Sequence, residues 1–337
     1  MMSRNSLFCM AIGLSVLMFL MSGCVEKSEV PKATQALPTV PVPPTSEQSI
    51  KTDQKLRWAP PKIENPITIE LGEGFTQNRL DVDKDYILKL PAKRKTGATV
   101  VVGGRNIVIM GGYITIPVMS DQKDDAYRRA LYFAKTVGTV HVEGVLIDNS
   151  GNSDFDGICI NAPEAIVQIQ NCRIIGLTGF YTGFHSDIVQ PWGGVKELRI
   201  DRLTGSTNYQ GLQLEPGLGP IGSAEISHAD FKFLPNSHQK TSYMIWLTKK
   251  DGSLAYPVSF EDVYVIPREG QTAGQTVWPH VEMPQAVAAV QNGKEVSWPA
   301  LKIIKGLVTE GTPPGGEFVP EGVAGLNYHS PGYTSTK

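Results

Sequence analysis

The chain has 337 residues, with 31 Lys and Arg against 33 Asp and Glu and a formal charge of -2. Near-neutral charge, with no Lys/Arg cluster interleaved with aromatics, lacks the electrostatic footprint of a nucleic-acid binder. No phosphate-binding Gly loop, CxxC pair or HExxH helix occurs, which removes the usual nucleotide, redox and metalloprotease readings.

Arg4 precedes an apolar run over 7–20, and Met21-Ser22-Gly23-Cys24 closes it with small residues, the layout of an export signal rather than of fold. The run is short for a bilayer span and turns polar at Glu26 and Lys27, so a permanent transmembrane helix is the weaker alternative. The stretch ending at Cys24 resembles the lipobox of bacterial lipoproteins. That resemblance implies a signal peptide over 1–23, lipidation of Cys24 and membrane contact through the acyl anchor only. Val25, where Asp would signal retention, implies the outer membrane or cell surface. Residues 24–60 are rich in Pro, Thr, Ser, Lys and Gln; such a segment cannot build a core and is expected to be a tether. With Cys9 in the leader and Cys24 acylated, Cys159 and Cys172 remain, read as small core residues with one disulfide as the alternative.

Strand signals fill 61–310, and no long stretch has helical periodicity. A short pattern recurs: apolar-x-apolar-x-(small or polar)-apolar-x-apolar. It covers 107–114, 140–147, 167–174 and 198–203, with weaker copies at 224–231, 258–265 and 301–308. Each copy alternates, so one face is apolar and the other wet. The phase slip near the fifth position predicts a bend between two short strands. The third residues, Ile109, Val142, Ile169, Ile200, Ile226, Phe260 and Ile303, recur at intervals of roughly thirty, as fixed strands joined by variable loops do. A second strand set precedes the copies at 130–133, 157–160, 187–190, 211–214 and 243–246. A β-sandwich would instead need regular hairpins with Asn-Gly-type turns.

These copies resemble the pectate-lyase-like superfamily. The resemblance implies an all-β, single-stranded right-handed parallel β-helix, a solenoid whose turns bury each other's apolar faces. Residues 311–337, with Tyr328-His329-Ser330-Pro331-Gly332-Tyr333, fall outside the repeat and are expected to pack on or extend from the last turn of chain.

Loops at 148–156, 175–186, 206–210 and 232–242 are expected to leave the repeat on one side. They carry Asp154, Phe155, Asp156, Tyr181, Phe184, His185, Asp187, Tyr209 and His238, and such rings beside carboxylates suit a glycan. His185 and Asp187 are two apart, so in an extended segment they face one way; Asp187 would orient His185 as a general base. Asp154 and Asp156 precede the matching strand one copy earlier. Three neighbouring carboxylates repel unless a cation or a proton relieves them, so calcium held by Asp154 and Asp156 is the expected cofactor. The alternative makes these two residues of a turn bonded to its own backbone. Tyr181 and Tyr209 are candidate sugar platforms. Alternation counted from Asp187 sets Asp187 and Val189 over Gly211 and Gln213, turns Gln213 and Glu215 outward as groove residues, and turns Gln190 inward. Trp192 reads as a corner residue, and His141 and His228 as surface residues.

The run from His185 to Gln190 resembles His-x-Asp-x-x-Gln elements of exported β-helix proteins active on polysaccharides. No whole catalytic set of a polygalacturonase, pectate lyase or alginate epimerase is present. Two functions follow as expectations: a polysaccharide lyase or glycoside-hydrolase-like enzyme of the cell envelope, or a non-catalytic surface module that binds glycan or protein.

Overall fold

In the computed structural model, which describes residues 54–118, 125–235 and 242–335, the repeated apolar positions lie in register on parallel strands. Ile109, Val142, Ile169, Ile200, Ile226 and Phe260 pair one to the next, and all six are buried. A second column runs through Leu131, Ile158, Val189, Leu212, Ile245 and Val277, again parallel and again buried. The described residues are all-β apart from two 3-10 turns, Asp125–Arg128 and Ala273–Gln275. The antiparallel pairings among them join Val290–Asn292, Glu295–Ser297 and Val308–Glu310.

The columns follow from what one copy can and cannot bury. The four inward apolar side chains of a copy contribute about 6–12 kcal/mol when fully covered. Ordering the eight backbone units of a copy costs roughly 8–16 kcal/mol. A single copy therefore has no stable fold, and neighbours about 4.8 Å away on both sides must supply the cover. Packing adjusts along the column where side chains grow: Gly205 pairs with Phe231, and a Cβ there would lie 3.0 Å from the Phe231 ring and 2.8 Å from Ile188.

The bend expected at the fifth position is present in six copies. Gly111, Gly144, Asn171, Arg202, His228 and Asp262 all have positive φ, between 48° and 67°. The seventh copy departs from its expected register: Val258 pairs with Ile304, not with Leu301, and Val263 with Val308. One residue fewer separates the two strands there, so counting from Leu301 misplaced the start.

Both ends of the described body differ from expectation. Leu56–Trp58, inside the stretch assigned to the tether, is a strand paired in parallel with Tyr333–Ser335. Residues 317–335 do not sit on the last turn of chain but run back over the wet face of the earlier copies. Phe318 N–H donates to Asp230 and Val319 N–H to Thr204, Gly325 N–H donates to Gly144 O, and Tyr328 reaches Glu143. His141 is consequently fully buried rather than a surface residue, bonded to Gln168 and to Glu143 at 2.8 Å each. His228 stays part-exposed, on Asp201. Cys159 and Cys172 are free and buried; Cys172 packs in the core as expected, whereas Cys159 lies in an outward row, with its Sγ 3.8 Å from Gln190 Oε1. Cys24, the leader and the tether up to residue 53 lie outside the described residues.

Glu143 anchors this belt. Burial pushes its carboxyl up, but hydrogen bonds from His141, Tyr328 and Tyr333 outweigh burial and hold it below the usual range. Both tyrosine hydroxyls donate to it at 2.5 Å. Tyr328→Phe removes one of those donors from a buried carboxylate and is expected to lower stability by about 1.5–3 kcal/mol. Urea denaturation checks this; a change below about half a kilocalorie would mean that the Tyr328 hydroxyl contributes nothing through Glu143.

Candidate functional site

The outer face of the second strand set carries two rows of side chains on either side of the buried column Leu131–Val277. One row runs Arg129, Asp156, Asp187, Gln210: Arg129 pairs with Asp156, and Asp187 with Gln210. The other runs Tyr132, Cys159, Gln190, then Gln213, Trp246, Trp278. On each strand the two outward residues are three apart, because two successive buried residues separate them: Gly157 and Ile158, Ile188 and Val189, Gly211 and Leu212. Strict alternation misses this, so two expectations need correction. Gln190 lines the cleft instead of pointing inward, and Asp187 and Val189 pair with Gln210 and Leu212, one residue short of the register expected.

Apart from Tyr132 and Cys159, these rows form the floor of a cleft of about 880 Å³. Asp125 and Arg128 join Tyr181, Phe184 and His185 along the side where the strands begin. Trp192, Glu215, Leu218 and Lys250 line the side where they end. Trp192 is thus a cleft residue, 44% exposed, and not a corner filler. Its ring lies 5.4 Å from the Arg129 guanidinium, which also sits 4.7 Å over Tyr132.

At the centre of the floor two buried carboxyls meet one cation. Asp156 is 2% exposed and Asp187 0%. The Asp187 backbone N–H donates to Asp156 Oδ1 at 3.0 Å, and Arg129 Nε lies 3.6 Å from Asp156 Oδ2. Neither oxygen of Asp187 accepts a hydrogen bond from any of the described residues. Burial drives the Asp156 carboxyl up to about 7, with Arg129 pulling the other way. Burial, then the Asp156 charge, push Asp187 well above the usual carboxylate range. One guanidinium offsets one negative charge, so burial and mutual repulsion favour the protonated form of the pair.

Of the other predicted site residues, Tyr181, His185, Gln213 and Glu215 line the cleft with Asp156 and Asp187, whereas Asp154 and Tyr209 do not. Asp154 turns from the cleft and accepts a hydrogen bond from Thr178 at 3.0 Å. Asp156 is held by Arg129 and the Asp187 N–H, and no metal-binding group of three His, Cys, Asp or Glu occurs among the described residues. The His185–Asp187 contact is not formed. Ser186 is buried with its hydroxyl bonded back to Thr178 O, and the strand begins only at Asp187, so His185 lies outside the extended segment that the two-residue rule needs. His185 instead bonds Tyr181 O at 3.1 Å, and its ring lies 5.1 Å from that of Tyr209. Tyr181 is exposed on the rim, 53%. Tyr209 is fully buried beneath His185 and presents no surface to a ligand. Gln213 and Glu215 are in the cleft, joined in a relay: Gln210 Nε2 donates to Gln213 Oε1 at 2.8 Å, and Gln213 Nε2 to Glu215 at 3.4 Å. Burial raises the Glu215 carboxyl, opposed by Lys250. Phe155 belongs to the core, and His238 lies outside the described residues.

Sequence reasoning missed Arg129, Trp192, Trp246 and Trp278. A signal existed in the polar or aromatic pairs three apart at one place in each copy: Arg129 and Tyr132, Asp187 and Gln190, Gln210 and Gln213, Tyr243 and Trp246.

The acid pair makes stability depend on pH. Unfolded, the carboxyls ionise near 3.8; folded, Asp156 titrates at about 7 and Asp187 also well above 3.8. Between those values the folded state binds more protons, so the pair's contribution falls as pH rises. Asp187→Asn fixes the neutral form at one site. Its Tm is expected to drop less than that of the parent chain between about pH 5 and about pH 8, by at least ~3 °C. Parallel Tm profiles would show that the two carboxyls do not share a proton.

Comparison with protein-family models, with curated proteins and with solved structures gives no match to this chain.

Proposed function

We propose that this protein binds a polysaccharide in the cleft and cleaves it, with Asp187 as the proton donor. We further propose that the parallel ladders are the turns of a right-handed parallel β-helix, and that the chain is exported and lipid-anchored at Cys24. One observation carries the functional reading: amides, acids and rings repeat in register on the floor of a single cleft. Amides hydrogen-bond hydroxyls in either direction, and aromatic faces cover the apolar C–H faces of sugars.

Breaking a glycosidic bond, by elimination or by hydrolysis, requires a proton for the departing oxygen. Asp187 retains one at neutral pH because Asp156, beside it, takes the one adjacent cation. Asp156 then stands as the charged partner of Arg129, able to offset positive charge that develops on a sugar ring. His185 on the rim is a base candidate for elimination, acting without Asp187 as its orienter.

The second reading, a non-catalytic glycan-binding module, is favoured by a specific feature: Asp187 has no solvent-accessible surface, so a substrate must displace its cover to reach it. Incubation of the soluble domain with uronate-rich and neutral glycans separates the two. The enzyme reading expects new reducing ends or unsaturated products, a loss of about 100-fold or more in turnover for Asp187→Asn, and glycan binding kept within a few fold. Binding by the parent chain without any product supports the module, and no binding across the panel defeats both. The anchor is tested by metabolic labelling with palmitate, which is expected to mark the full chain and to vanish in Cys24→Ala; labelling that persists in the variant excludes Cys24.

A further inference from the structure

The direction of the cleft and the chemistry of its far end say how long the ligand must be. Its floor residues sit at matching positions on consecutive strands, so the cleft runs across the strands and along the ladder. From the Asp187 strand the steps are Asp187 to Gln210, Leu212 to Ile245, and Ile245 to Val277. At about 4.8 Å per step, Trp278 stands roughly 14 Å from the acid pair.

At that end the floor changes character. Trp246 and Trp278 pair in register, with ring centroids 5.4 Å apart, and Tyr243 packs 5.2 Å from each. Both indole N–H groups are already used: Trp246 donates to Thr248 O at 2.7 Å and Trp278 to Lys249 O at 3.2 Å. These bonds lock the rings, and the apolar surface the cleft offers there is chiefly that of the half-buried Trp278, backed by Trp246, which is 7% exposed. All three rings line it. An apolar floor at one end of a polar cleft suits a pyranose unit presenting a C–H face, and fixed rings bind it with little loss of side-chain freedom.

We infer that Trp246 and Trp278 form a distal sugar subsite, three strands from the acid pair, so that the protein selects oligomers long enough to span both. The inference rests on the polysaccharide reading above and adds the axis of the bound chain, its minimum reach and the residues that sense length. A disaccharide seated at Asp156 and Asp187 does not reach the tryptophans; a hexasaccharide lying along the ladder does.

The test compares binding of di- and hexasaccharides of the cello-, chito- and galacturono- series by titration calorimetry, using the parent chain, Trp278→Ala and Trp278→Phe. Trp278 is chosen because it is less buried than Trp246, and thermal melts verify that each variant is folded. In whichever series binds, Trp278→Ala is expected to weaken the hexasaccharide roughly fivefold to tenfold while leaving the disaccharide unchanged. Trp278→Phe, which keeps a ring face, is expected to recover most of the loss. A hexasaccharide bound equally by parent and alanine variant, or an equal loss for both lengths, overturns the distal subsite while leaving the polysaccharide reading standing. Failure of the parent chain to bind any series overturns that reading, and the subsite with it.

Discussion

Parallel pairing in register is the constraint on which everything else in this molecule depends. Each strand lies against its predecessor with residue matched to residue, so whatever one copy presents at a given position meets its counterpart at a fixed short spacing. Inside, this is favourable without further adjustment, because Ile over Ile over Val covers apolar surface that no copy covers alone. Outside, it makes rows, and the character of a row is set by what the copies repeat.

The same constraint turns hazardous when the repeated residue is charged. Asp156 and Asp187 come from strands thirty positions apart in sequence yet lie in contact, under Arg129 from the strand before. Two buried negative charges at that distance would be strongly unfavourable, and the environment relieves them by retaining a proton and by one shared guanidinium. Elsewhere the ladder avoids the problem with neutral amides, as in Gln190, Gln210 and Gln213. The raised pKa values of the two acids are thus a by-product of register, which places them on adjacent strands beside one guanidinium from the strand before.

Much of the architecture was legible because it is carried by apolar periodicity. Six of the seven repeat markers pair as the spacing implied, and the phase slip at the fifth position marked the positive-φ bend in each of those copies. The seventh failed where a one-residue shortening leaves no trace in hydrophobicity. Side-chain direction was less legible, since alternation was assumed to run unbroken. The double buried step in each strand of the second set moved Gln190 to the outside and shifted the register by one. Tyr209 and His141 illustrate a deeper limit. Whether a residue on the wet face meets solvent depends on what crosses it, and nothing local to His141 announces Tyr328 and Tyr333, nearly two hundred positions later.

Those late tyrosines bear on how the molecule is made. Leu56–Trp58 and Tyr333–Ser335 share a ladder, with Thr334 bonded to Leu56 across 278 positions of chain. The intervening copies can zip one onto the next as they are synthesised, each needing only its neighbour. The belt cannot fasten until the last of its residues has emerged, and long loop closure of this kind is slow. Until then Glu143, His141 and the flank beneath them remain wet and unpartnered by the tail. A translation product stopped short of Tyr328 would have its ladder but not its buckle, and an exposed flank of that kind is what quality-control chaperones and proteases recognise.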